Sequence, residues 1–314
     1  MAPLIKVSVL MPVHNGADYL KASIESVLGQ SLREFEFFIT DNSSTDETAK
    51  IVGSYHDPRI VFKINERNEG LFPGLNALIR RSRAPLIKPW SHDDIMTADC
   101  LEKGYRFYES HPGLGCFYAN CDTIDAGGNL VAGPPADETP AILSPETADR
   151  YCLLHGCLSP NVSNLFFPRS IFDAMGFFRE DWIAADFDMM VRVQNHYPIG
   201  RIAEVLLHLR RHPKQWSTNP RSVMQYLGEE PLIYEALRER LLHRHASMSL
   251  PEISGALRRK YVQYFHAAVR YLCGGRVKDA WDVFRRLGRI EPLPVLFGLW
   301  LCELPGRFGK VRRP

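Results

Sequence analysis

The sequence predicts an α/β protein: a doubly wound, mostly parallel sheet with helices on both faces, followed by a helical C-terminal extension. Three observations predict it. Apolar runs rich in β-branched and aromatic residues end near residues 12, 40, 64 and 91. Between them, apolar residues recur at helical spacing, and the two patterns alternate at intervals of roughly 24–28 residues. That rhythm is the βαβ unit, whose right-handed crossovers build a parallel sheet buried on both faces.

Ile5–Pro12 is a nearly continuous apolar run, the pattern of a fully buried strand, and ends in the turn Val13-His14-Asn15-Gly16. Leu20, Ile24, Val27 and Leu28 mark the first helix, with Asp18 placed to cap it. Phe35–Thr40 is the second strand, closed by Asp41-Asn42-Ser43-Ser44. Ser44 and Glu47 stand at capping-box spacing and predict a second helix through Ile51, Val52 and Tyr55. Ile60–Ile64 is the third strand, and Leu71, Leu75, Leu78 and Ile79 mark a third helix with Pro73 in its first turn. Leu86–Trp90 is the fourth strand, broken by Ser91-His92-Asp93-Asp94. Beyond it the pattern predicts a helix over 97–110, a strand over Gly115–Ala119 and a turn around Asp125–Asn129. A loop is expected over 133–147, a strand over Asn161–Pro168 and a short helix over Ser170–Met175. A helix over Ile183–Asn195 and a strand over Ile202–Leu209 complete this part, and after Pro220 the chain reads as mostly helical with many exposed Arg. The expected division is therefore 1–219 for the α/β domain and 220–314 for a basic, helical region.

Apolar residues make up 45% and charged residues 24% of the 314, which excludes disordered and fibrous classes. Seven Cys without framework spacing, and no basic-then-apolar leader, predict a cytoplasmic, reducing location. The longest apolar run, Leu293–Cys302, is too short to cross a bilayer. The net charge of +2 hides a split: residues 1–200 carry −9 and residues 201–314 carry +11. An acidic, metal-using half beside a half that faces an anionic partner fits that split, and so does an ordinary solvated helical surface.

In open parallel sheets, ligands bind outside the carboxyl ends of the strands. That rule singles out segments 12–16, 40–44, 65–70 and 91–94. Asp93 and Asp94 repel each other unless a cation or hydrogen-bond donors offset them, and oxygen donors of this kind suit Mg²⁺ or Mn²⁺. Asp41 beside Asn42 can read the polar edge of a nucleobase, or can form a simple Asx turn. Asp186 and Asp188 point to different sides of a helix, so one can act as a base while the other pairs with Arg192. Cys152, His155 and Cys157 do not have zinc spacing, and no Gly-rich phosphate loop follows any strand.

Taken in order, VSVLMPVHNGADYLKASIESVLGQS, FEFFITDNSSTDET, NEGLFPGLNALI, PWSHDDIM and GFFREDWIAADFDMMVRV resemble the family 2 glycosyltransferases of the GT-A fold, over about residues 5–217. The resemblance implies a nucleoside-diphosphate sugar donor, a divalent metal (Mg²⁺ or Mn²⁺), inversion at the anomeric carbon and a glycan or glycolipid acceptor. It implies that Pro12, Val13 and Asn15 line the nucleotide cleft, that Asp41 and Asn42 hold the base, and that Asn68, Gly70 and Asn76 border the nucleotide-sugar. Ser91, His92 and Asp93 would lie along the donor, with Asp94 the principal metal ligand and Asp93 shared between metal and sugar. Asp186 matches the general base, and Arg211 and His212 fall near the diphosphate and the metal. Three departures stand out: Ser91 and Asn42 replace acids common in the family, and Ala185 replaces a Glu.

The competing functions are an inactive nucleotide-sugar-binding module and a nucleotidyltransferase. The latter usually carries a basic loop after the first strand, whereas Pro12–Asp18 holds no Lys or Arg. No recognised module supports nucleic-acid binding. Leu293–Cys302 with Phe297 and Trp300, followed by Arg307, Lys310, Arg312 and Arg313, suits peripheral contact with an anionic membrane surface. A helix packed on its own core, with a loose tail, is the competing reading.

Overall fold

The structure, a computed structural model, describes residues 4–134, 140–159, 161–215, 220–244 and 248–308. It divides into two compact units, Met1–Ala148 with Cys157–Pro213, and Asp149–Gly156 with Lys214–Pro314.

The first unit is built on one sheet. β1 (Val7–Val13) and β2 (Phe35–Asp41) are buried at every position, as their uninterrupted apolar patterns require. β3 (Ile60–Ile64) lies at one edge, and β4 (Leu86–Pro89) pairs with the other side of β1. These four strands are parallel in the order β3-β2-β1-β4. The chain thus winds outward from β1 and returns across it, which makes the β1/β4 crevice the switch point where such sheets bind ligands. Helices α1 (Ala17–Leu28), α2 (Thr48–Gly53) and α3 (Leu71–Arg81) form the crossovers. The short β5 (Ile95–Met96) and helix α4 (Cys100–Ser110) lead to β6 (Cys116–Ile124), and β7 (Leu130–Ala132) pairs back on β6. The remaining strands are β8 (Ile142–Leu143), β9 (Leu165–Pro168) and β10 (Ile199–Arg210). β9 runs antiparallel between β4 and β6, while β10 is parallel to β6. Strands β1, β2, β3, β4, β6 and β10 therefore all point their carboxyl ends to one edge. The core beneath them joins Leu20, Ile24 and Val27 of α1 to Val9, Met11, Phe37, Trp90 and Leu207.

Several sequence expectations need correction. The Ser44–Glu47 capping box does not form: α2 starts only at Thr48, because the Ser44 hydroxyl accepts the Asn15 N–H instead. Asp18 does not cap α1; the Gly16 and Ala17 N–H groups reach Thr48 Oγ1 and Asp46 Oδ2. Of the loop expected over 133–147, residues 135–139 lie outside the described residues. The rest forms β8 and the start of α5 (Pro145–His155), where Pro at the first helical position suits the missing N–H. Asn161–Pro168 opens with a 3₁₀ turn, Val162–Asn164, because the Asn161 side chain accepts the Asn164 N–H, and only then becomes β9. Helices α6 (Ser170–Met175) and α7 (Ala185–Gln194) fall where expected.

The second unit is helical. α8 (Pro220–Glu239) runs into a π-helical turn over Arg240–Arg244, followed by α9 (Leu250–Cys273), α10 (Val277–Leu287) and α11 (Leu293–Phe308). Leu227, Val262, Phe265, Val283, Leu287 and Leu296 form its core. Asp149, fully buried, receives two 2.7 Å hydrogen bonds from the Arg240 guanidinium. Lys310, Arg312 and Arg313 lie outside the described residues. Among the described residues no helix is long and apolar enough to cross a membrane, and no disulfide forms.

Candidate active site

The loops at the shared carboxyl edge are tied to one another side chain by side chain. Asn42 donates its backbone N–H to Val13 O at 2.7 Å, and His14 Nδ1 lies 3.0 Å from Asn42 O. Asn15 Oδ1 accepts the Thr45 N–H at 2.8 Å. Asp41, almost fully buried, accepts the Ser44 N–H at 2.9 Å. The Asn42 amide donates to Gly70 O and accepts from Asn65 Nδ2, while Asn68 Oδ1 accepts the Gly70 N–H. Asn15 and Ser43 both adopt left-handed backbone, with φ of 53° and 61°. Such strain in non-glycine residues gathers where a loop is shaped for a ligand. Pro12 meets α3 at Gly74, where a Cβ would come within 2.8 Å of the proline ring.

The loops after β1 and β4 close on each other at Gly16. A Cβ there would stand 2.6 Å from Val13 Cγ2 and 2.7 Å from His92 Cδ2, so only glycine fits. Gly16→Ala is expected to lower stability by about 1–3 kcal/mol through overpacking, read by denaturant unfolding.

The two acids after β4 have opposite surroundings. Asp93 accepts from the Ser91 hydroxyl and lies 3.1 Å from His212 Nε2. Burial pushes its carboxyl upward, but His92, Ser91 and His212 outweigh burial and hold it below the usual carboxylate range. Burial likewise keeps the His92 imidazole below its ordinary value. Asp94 turns inward, accepting the Arg210 N–H at 3.0 Å and facing Asn161 Nδ2 at 3.4 Å. Burial, and then the Asp93 charge, push its carboxyl up to about 7.

Asp93 thus pairs with His212 while Asp94 is held by the Arg210 N–H, and both carboxylates are buried. The Asp93–His212 pair fits a divalent cation. Two ligands at right angles on an octahedral ion, with bonds of about 2.1 Å, stand about 3 Å apart, close to the 3.1 Å separation here. His212 Nδ1 is buried without a hydrogen-bond partner, although its ring packs on Tyr19 at 4.7 Å. Among the described residues no three His, Cys, Asp or Glu side chains converge on one point, so the remaining ligands would come from the donor and water.

Arg210 is a member of the site that sequence reasoning missed. Its guanidinium donates to Asp93 O, Asp125 O and Ala126 O and lies over the Tyr19 ring at 4.8 Å. The neighbouring Arg211 is exposed and gives its N–H to Ile124 O. Lys88 was missed too: it is fully buried in β4, and burial lowers its ammonium to about 8.

Asn76 is fully engaged within the protein. Its amide donates to Phe178 O and Glu180 Oε1 and accepts the Phe178 N–H, so it clamps segment 177–180 onto α3. That segment leads into α7. There Asp186 accepts the Phe187 N–H at 2.8 Å, and burial pushes its carboxyl up to about 6. Asp188 instead pairs with Arg192 at 2.8 Å and Arg179 at 3.1 Å, the division of labour that their helical positions require.

Comparisons with known proteins agree with this architecture. The family model described as Glycosyl transferase family 2 matches residues 8–142. Chondroitin synthase of Escherichia coli is 30% identical over 128 residues, which is 40% of this chain and 18% of the synthase. The chain spans less than half the length of several curated relatives that it matches. Among solved structures, TarS 1–349 of S. aureus in complex with UDP-GlcNAc is similar with a TM-score of 0.57 at 15% identity, over 88% of this chain and 90% of that one. The mannosyltransferase PcManGT of Pyrobaculum calidifontis, in complex with GDP-Man and Mn²⁺, is similar with a TM-score of 0.54 at 16% identity, over 93% and 88%. The parallel half-sheet and the acids after β4 fall within the matched stretch, so residues 8–142 carry a domain of the Glycosyl transferase family 2.

Proposed function

We propose that this protein moves a sugar from a nucleoside-diphosphate sugar to an acceptor hydroxyl, with inversion, in the synthesis of a polysaccharide or glycolipid. The observation that carries this reading is the Asp93–His212 pair at the β1/β4 switch point, backed by the inward Asp94. The donors held by the neighbours TarS and PcManGT, UDP-GlcNAc and GDP-Man, support the substrate class. The likeness to a chondroitin synthase supports the product class.

In this reading Pro12, Val13, Asn15 and Asp41 wall the nucleotide cleft. Asn42, with Asn68, fixes the Gly70 backbone that borders the donor. Ser91 and His92 hold Asp93 ready, and exposed Arg211 supplies positive charge toward the diphosphate. Asp93 and His212 would hold a divalent cation, whose charge would offset the negative charge of a departing nucleoside diphosphate. An imidazole nitrogen in the donor set favours Mn²⁺ over Mg²⁺. Asp186 takes the proton of the acceptor hydroxyl as its oxygen bonds to the anomeric carbon from the face opposite the diphosphate. The bond from that carbon to the diphosphate oxygen breaks, and the electron pair leaves with the nucleoside diphosphate. A cytoplasmic enzyme working on a lipid-linked acceptor fits the exposed apolar side chains Trp281 and Phe297 of the helical unit.

The test is thermal stabilisation by a panel containing UDP-GlcNAc, UDP-glucose and GDP-mannose, with and without Mn²⁺. A donor that raises Tm only when Mn²⁺ is present supports the reading. No shift with any member, at concentrations up to millimolar, overturns it.

A further inference from the structure

Lys88 is charged, central and completely enclosed, yet the chemistry above makes no use of it. It sits in β4, five residues before Asp93, with no exposed surface. Its ammonium donates to Ser163 O, with Leu165 O at 3.5 Å, and lies over the Phe166 ring at 4.0 Å and toward the Trp90 ring at 5.6 Å. An ammonium removed from water survives only where carbonyl dipoles and ring faces replace its hydration. Both carbonyls belong to one short stretch, the 3₁₀ turn Val162–Asn164 and the start of β9. The same turn is held from its other side by Asn164, whose amide donates to Ala119 O and accepts the Ala119 N–H. Asn161 stands at the head of this turn. Its Oδ1 accepts the Asn164 N–H, and its Nδ2 faces the Asp94 carboxylate. The line from Lys88 to Asp94 is therefore continuous: ammonium, turn backbone, Asn161 amide, carboxylate.

We propose that Lys88 is a positioning residue for the donor site: from within β4 its ammonium fixes the 161–165 turn, and through Asn161 it sets the orientation of Asp94 beside Asp93. An apolar side chain would fill the same space with less desolvation, so the charge is retained for what it holds. This inference rests on the glycosyltransferase reading of the same acids. It also makes a claim about the turn that can be read without a donor.

The test uses the full chain with Lys88→Met, which keeps length but removes the ammonium and its contacts to Ser163 O and Leu165 O, with Asn161→Ala, and with the double variant. The readouts are Mn²⁺ affinity by titration calorimetry with the metal alone, donor KM and kcat for the donor found in the panel, and hydrogen exchange of amides 161–165. Each single variant is expected to weaken Mn²⁺ binding about tenfold and raise donor KM, with kcat changed less than threefold. The double variant is expected to be no worse than either single one, since both cut the same line. Exchange at 161–165 should accelerate in Lys88→Met. A folded Lys88→Met with Mn²⁺ affinity and donor KM within twofold of the parent overturns the proposal, as do fully additive effects in the double variant. Should Lys88→Met not fold, Asn161→Ala decides: parent-like Mn²⁺ affinity and donor KM overturn it. Should the parent bind neither Mn²⁺ nor any donor, the glycosyltransferase reading falls by itself. Unchanged exchange at 161–165 in Lys88→Met separately overturns the positioning role.

Discussion

Asp186→Asn is expected to bind a nucleoside-diphosphate sugar as the parent does and to transfer it about 10²–10⁴-fold more slowly, the range spanned by losing a general base. The substitution is isosteric, and its amide oxygen can still accept the Phe187 N–H that Asp186 accepts now, so α7 keeps its first turn. What disappears is the ability to hold the acceptor's proton. The folded carboxyl titrates at about 6, above its ordinary value of 3.8, because burial disfavours the charge. Two consequences follow from that direction. Transfer by the parent should rise as pH climbs through about 6 and level off above it, and this limb should vanish in Asp186→Asn. Stability should behave in the opposite sense: the folded state holds this proton between about 3.8 and 6, so the contribution is complete below that window and lost as pH rises through it. Asp186→Asn should therefore be no less stable than the parent at pH 7.5. Single-turnover transfer, with donor binding measured separately, distinguishes these effects. A variant that transfers at the parent's rate removes Asp186 from the chemistry.

The parallel half of the fold was legible because its signals are local. Seven consecutive buried residues in β1 and in β2 leave an apolar run in the sequence, and the turns that close them carry Asn, Asp, Ser and Gly. The acids at 93 and 94 were legible for the same reason, since they interrupt such a run. The division between them was not. Which carboxylate meets which partner depends on Arg210 and His212, more than a hundred residues away, whose neighbourhood is created only when β10 lies beside β6. The partner of Asn76 was hidden for a related reason: its amide is claimed by Phe178, 102 residues on. Lys88 did leave a trace, one cation in an otherwise apolar strand. Strand periodicity treats such a residue as noise unless it asks what could neutralise it. Ser44 shows the converse error, in which a correct local motif lost to a long-range partner, the Asn15 N–H.

Asp93→Asn and Asp94→Asn should diverge, although the residues are adjacent. Asp93 keeps its charge against burial because His92, Ser91 and His212 favour the ionised form. Replacing it removes the anion that would share a cation with His212, and Mn²⁺-dependent donor affinity should fall on the order of 100-fold. Asp94 is the reverse case. Between about pH 4 and 7 the folded protein retains a proton that the unfolded chain has released, so the Asp94 contribution to stability falls as pH rises across that window. Asp93 contributes with the other sign: its share is present above its ordinary value of 3.8 and lost as pH falls below it. Asp94→Asn keeps an oxygen for the Arg210 N–H and removes the buried charge. It should raise stability at pH 8 by about 1–2 kcal/mol, flatten the pH dependence between 5 and 8, and weaken Mn²⁺-dependent donor binding about tenfold. Thermal unfolding from pH 5 to 8 in a chelator, beside calorimetry with Mn²⁺ and donor, reads both. If Asp94→Asn is destabilised at pH 8, or if the two variants lose donor affinity equally, the separate roles argued for these acids are wrong. The polarity follows from where the backbone of β10 ends: the Arg210 N–H satisfies one carboxylate of an adjacent pair, and the other is left to His212.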